Sequence, residues 1–182
     1  MVLPTPQPAD LQTLTRQLGR RPHGALEVAY RCPAGHPAVL LTYPLRRRRG
    51  RLAPFPSHLW LTCPRLSDQL AELERVGVIR QLQRLLATSP SLRTQFAKDH
   101  QRCIDHRWNL LTDEDQRNVY RDNLTEVFRH RGIGGVRQWM SVKCLHLHYA
   151  HDLVLGDTMG RLLATSYGIH PCHETPVATE VK

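Results

Sequence analysis

An α+β fold is predicted, with a small antiparallel three-stranded sheet near the N-terminus and a mainly helical C-terminal two-thirds. Two observations carry this. Between residues 25 and 63, apolar positions recur with a period of two in short runs punctuated by Gly and Pro. From residue 64 onward the period moves towards 3.6. A third sets the scale: 182 residues, 41% of them hydrophobic, can bury a continuous core without cross-links.

Pro8-Ala9-Asp10 opens a short helix with Leu11, Leu14 and Leu18 on one face, and Gly19 suits its end. Arg20 to Gly24 is a turn-rich connection. Residues 25–32, 38–43 and 58–63 read as three strands. The turn at Cys32-Pro33-Ala34-Gly35-His36-Pro37 joins the first two, and a long exposed hairpin loop over residues 44–56 joins the last two. Helices follow through Leu66 to Val76 and, after Gly77, through Val78 to Leu86. A longer one starts at Ser89-Pro90, where Ser is a good cap and Pro a good first residue, and runs towards Leu111. Thr112-Asp113-Glu114-Asp115 places acids in a first turn and starts a helix to about Arg131. After Gly132-Ile133-Gly134-Gly135, a helix from about Gln138 to Leu155 and another from Thr158 to Tyr167 complete the expected order. Residues 1–170 are expected to form one domain and 171–182 a disordered tail.

Composition narrows the function. No apolar run approaches the eighteen or so residues that span a bilayer, and the first residues lack a secretory pattern, so no membrane and a cytoplasmic location are expected. Five cysteines cannot complete a disulfide framework, which shifts a cysteine cluster towards metal binding or catalysis. The net charge of +9 is local: residues 1–52 hold nine arginines against Asp10 and Glu27.

The densest chemistry lies in Lys143-Cys144-Leu145-His146-Leu147-His148-Tyr149-Ala150-His151. At about 100° per residue, a helix through it gathers Cys144, His148 and His151 within roughly 60° and turns His146 nearly opposite. Cys32 and Cys63, each followed by proline at a strand end, are candidate partners from across the fold. Thiolate and imidazole are the usual zinc ligands, and cysteines before proline also suit an iron–sulfur cluster. Other readings stay open: free cysteine often packs as a small apolar side chain, and Cys144 near a histidine, or Cys32 beside Arg31, could be an activated nucleophile.

Arg31-Cys32-Pro33 with Gly35 and Pro37, Pro54-Phe55-Pro56, Leu61-Thr62-Cys63-Pro64, Gly132-Ile133-Gly134-Gly135, and Val142-Lys143-Cys144-Leu145-His146 with Ala150-His151 resemble a bacterial family over about residues 20–163. It is the domain-of-unknown-function family numbered 501, which has no activity to carry over. The resemblance covers Cys32, Cys63, Cys144, His146 and His151. It therefore implies Cys32, Cys63, Cys144 and His151 as the preferred ligand set. His146, which the pattern also contains, and His148 and His36, which this sequence adds, are alternative ligands or supports. Helix geometry and family pattern agree on Cys144 and His151 alone.

Two further features invite anions. Arg46, Arg47, Arg48, Arg49 and Arg51 in the long loop could grip a nucleic acid or an acidic protein, although no aromatic residue interleaves with them. Gly132, Gly134 and Gly135, with Arg31 or Lys143, could form a backbone nest near the metal, a tight interhelical turn being the plainer reading.

Overall fold

The computed structural model describes residues 5–171. Helix α1 (Pro8–Leu18) begins with proline and ends where Gly19 turns left-handed and its N–H reaches the Arg16 carbonyl. Strands β1 (Ala25–Arg31) and β2 (Pro37–Thr42) then pair antiparallel, with register shifts along β1. The loop expected after β2 is instead a second small sheet, β3 (Leu45–Arg48) against β4 (Arg51–Pro54). Its tip, Arg49-Gly50, is left-handed at both residues (φ 50° and 75°), the geometry that lets a two-residue turn follow the twist of its strands. Strand β5 (Leu59–Leu61) returns to the other edge of β2, giving the order β1-β2-β5. The three-stranded antiparallel sheet predicted near the N-terminus is therefore present, followed by a mostly helical remainder.

The helices are α2 (Pro64–Arg75), α3 (Val78–Thr88), α4 (Pro90–Asn109), α5 (Asp113–Arg121), α6 (Thr125–Arg129), α7 (Leu145–Leu155) and α8 (Thr158–Tyr167). The single helix expected from Thr112 to Arg131 is two, because Asn123 adopts a left-handed conformation between them (φ 55°). The helix expected from Gln138 starts only at Leu145. The expected caps of α4 and α5 are in place: Ser89 Oγ accepts the Leu92 N–H, and Thr112 Oγ1 the Asp115 N–H.

β2 is buried along its whole length, which needs cover on both faces. One apolar cluster joins Cys32, Ala38 and Cys63 to Leu66, Leu70, Leu82, Phe96, Tyr149 and Leu163. The other joins Val39, Leu41 and Leu59 to Leu111, Val119, Phe128 and Ala150. Helix α7 contributes to both, so it is the helix on which the core is assembled. It lies close to α8: a Cβ on Gly160 would stand 2.6 Å from the His148 carbonyl oxygen, so only glycine permits the approach. No described helix is long and apolar enough to cross a membrane. The tail expected to be disordered lies, from Cys172 onward, outside the described residues.

Candidate metal centre

Two groups of three potential ligands have their donor atoms within 4.8 Å of one another. The first is Glu74, Cys144 and His146, all half-buried; the second is His58, Cys103 and His151, all buried. Among the described residues, no three of Cys32, Cys63, Cys144 and His151 meet in this way.

The reason lies at the start of α7. Cys144 is not helical but extended (φ −159°, ψ 128°), one residue before the helix begins. The 100° spacing that placed it with His148 and His151 does not apply across that boundary, and it turns instead to His146. Cys144 Sγ lies 3.6 Å from His146 Nδ1, and the same nitrogen lies 3.2 Å from Glu74 Oε1. His146 Nε2 lies 3.0 Å from the Ser67 carbonyl oxygen, to which it donates. Glu74 Oε1 also accepts the Leu145 N–H at 2.7 Å, which caps α7 from the far end of α2. The His146 pKa is raised to about 9: contact with Cys144 is the largest cause, burial opposes it, and Glu74 adds to it.

The second group sits in a buried histidine layer. Cys103 Sγ is 3.9 Å from His151 Nε2, and the His58 and His151 rings meet edge to face at 5.4 Å. His58 Nε2 is already bonded to His106 Nδ1 at 2.9 Å. Arg107 Nη1 stands 4.0 Å from the Cys103 sulfur. Burial pushes the His58 pKa down to about 3, lowers that of His151 well below its usual value and raises that of Cys103 to about 12. Nearby, His148 Nδ1 pairs with Asp157 Oδ2 at 3.0 Å, so His148 supports α8 rather than Cys144.

The other sequence candidates are accounted for locally. Cys32 and Cys63 are buried in apolar surroundings, Cys32 closing a tight turn through its N–H to the His36 carbonyl and Cys63 preceding Pro64 at the start of α2. His36 joins neither ligand group. Arg31 holds Asp10 through both guanidinium ends. Lys143 donates to the Gly134 carbonyl at 2.7 Å. In the glycine turn, Gly132 N–H bonds the Val136 carbonyl, Gly135 N–H the Gly132 carbonyl and Ile133 N–H the His100 Nδ1. These amides are spent internally, which favours the interhelical turn over an anion nest.

Sequence reasoning missed Glu74, His58 and Cys103. Nothing in the sequence marks Glu74. Cys103 had a signal: Phe96, His100, Cys103 and Arg107 recur at helical spacing on the buried face of α4.

His100 yields a pH prediction. Its Nδ1 accepts from Ile133 and its Nε2 donates to the Trp139 carbonyl, so the neutral ring is the bonded form. Burial first, then His148, lowers its pKa from 6.5 to about 4. A proton bound by the unfolded chain is then refused by the folded one. Its stabilisation is complete above the unfolded value and is lost as pH falls through 6.5 towards 4, about 3 kcal/mol in all. Asp99 and Asp152, whose pKa values are raised by burial, offset part of this. Urea midpoints should drop between neutral pH and the acid end of that window; equal midpoints would count against it.

Fold and site together define an α+β protein carrying buried or half-buried Cys/His groups able to hold a metal ion. The chain belongs to a family described as a protein of unknown function, DUF501, whose match spans residues 28–164. No curated protein and no solved structure matches it.

Proposed function

We propose that the protein binds zinc through Glu74, Cys144 and His146, leaving a fourth position for water or an exchangeable ligand. One observation carries the reading. Tetrahedral zinc with bonds of about 2.3 Å to sulfur, 2.0 Å to nitrogen and 2.1 Å to oxygen requires S–N and N–O edges of about 3.5 and 3.3 Å. The separations here are 3.6 and 3.2 Å. The outer contacts agree: a ligating histidine usually donates its other N–H to a carbonyl, as His146 does to Ser67. Three protein ligands on a half-exposed surface match an open zinc site, which activates bound water or polarises a carbonyl or phosphoryl group. An iron–sulfur cluster is less well supported, since it prefers several thiolates and each group has one cysteine. The buried group is also the poorer zinc site, because a dication there would face the Arg107 guanidinium and displace the His58–His106 bond.

Protein purified without chelator should carry stoichiometric zinc by elemental analysis. Cys144→Ser or His146→Ala should weaken zinc at least about 100-fold, while Cys103→Ser should leave it bound. Cobalt substitution should give a thiolate-to-metal absorption band absent from Cys144→Ser. Folded protein that takes up no added zinc, or that loses it only in Cys103→Ser, refutes the assignment. The same 3.6 Å contact supports a second reading in that event, a thiolate–imidazolium nucleophile at the start of α7. Fast alkylation of Cys144, slowed in His146→Ala, would identify it.

A further inference from the structure

The arginine run is built into a surface that also contains aromatic planes. Arg46 sits over Phe55, its Cζ 3.4 Å from the ring centre. Phe55 stacks on Trp60 at 5.6 Å with 19° between planes, and Arg20 covers Trp60 at 5.9 Å. The β3–β4 hairpin brings Arg46 to Phe55, and β5 carries Trp60. Trp60 is held in place by its Nε1–H bond to the Ser57 carbonyl at 2.6 Å. Both rings remain partly exposed. Beyond them the hairpin presents Arg47, Arg48, Arg49 and Arg51, all exposed. An open groove of about 870 Å³ runs alongside, lined in part by His23, Tyr43, Arg46, Arg47 and Phe55.

This charge is scarcely neutralised from within. Among the described residues, none of Arg20, Arg46, Arg47, Arg48, Arg49 and Arg51 forms an ion pair with a carboxylate. Arg46 Nε is buried without a hydrogen-bond partner. Guanidinium groups gathered on one face repel, and that repulsion is relieved by a polyanion. Guanidinium planes backed by aromatic rings are at the same time platforms on which any base can stack.

We infer that this face binds single-stranded nucleic acid, with phosphates along Arg47–Arg51 and bases stacked on the guanidiniums of Arg46 and Arg20, which the Phe55–Trp60 pair backs. The stacking planes distinguish this ligand from an acidic protein, whose carboxylates need only charge. The inference is independent of zinc: chelated protein should bind equally well.

Fluorescence anisotropy with labelled oligo(dT) or oligo(U) of about 16 nucleotides tests it. Four phosphate contacts should weaken binding roughly 50-fold between about 50 and 200 mM salt. The triple variant Arg48→Ser, Arg49→Ser, Arg51→Ser alters only exposed side chains and should flatten that salt dependence to a slope of about −0.7. Trp60→Leu or Phe55→Leu should lose about tenfold in affinity with the slope unchanged. If Trp60→Leu fails to fold, quenching of the native tryptophan emission by unlabelled oligonucleotide replaces it. Polyglutamate competing as well as the oligonucleotide, tighter binding to duplex, or full affinity in both aromatic variants would each overturn the inference.

Discussion

Asp157→Ala is expected to destabilise the protein by about 4 kcal/mol, the sum of a lost helix cap and a broken buried pair. The carboxylate is 1% exposed and serves two elements at once. Oδ1 accepts the Gly160 N–H at 2.9 Å and caps α8, while Oδ2 accepts from His148 Nδ1 at 3.0 Å on α7. Alanine leaves the Gly160 amide and the His148 ring nitrogen buried without a partner. Asp157→Asn keeps an oxygen for the cap and should lose about half as much. Urea unfolding compares the three proteins, and an alanine variant within about 1 kcal/mol of the native chain would defeat the argument.

Arg107→Met should cost a similar amount, about 4 kcal/mol, although it places an apolar chain in an apolar site. Arg107 is fully buried, with no ion-pair partner among the described residues. Its Nη2 donates to the carbonyls of Val127 at 3.1 Å and Phe128 at 3.2 Å, and also to that of Arg131. Nη1 approaches the Gly132 carbonyl at 3.5 Å. One side chain therefore satisfies the exit of α6 and the glycine turn that leads towards Cys144. Burial lowers the Arg107 pKa, yet a guanidinium stays protonated. Arg107→Lys keeps the charge but cannot span the same carbonyls, so it should recover less than half. Hydrogen exchange should accelerate around residues 127–135 in both variants before global unfolding; protection unchanged there would rule the role out.

The two variants act on the elements that the sequence described least well. Local rules were enough for the short strands and for the helices opened by Pro8, Pro64, Ser89 and Thr112, because their caps lie within a turn of the helix they start. They were enough for the hydrophobic faces, because α2 and α3 keep apolar residues inward at helical spacing. The second hairpin was missed because four arginines read as a solvated loop, whereas Arg46 packs on Phe55. The long fifth helix was drawn through Asn123 because a left-handed residue other than glycine leaves little trace in a periodicity.

For the site, the sequence by itself determined that Cys144 and His146 lie together in a soft-ligand segment and that the chain resembles the DUF501 family. It could not determine which of the four nearby Cys and His side chains come together, because that depends on where α7 begins. Only the tertiary structure decided this. α7 has no side-chain cap of its own, and its first amide is satisfied by Glu74, 71 residues earlier. That single carboxylate is associated with an extended Cys144, faces His146 Nδ1 and supplies the third donor. A helix start whose first amide is bonded by so distant a residue cannot be read from the residues around it.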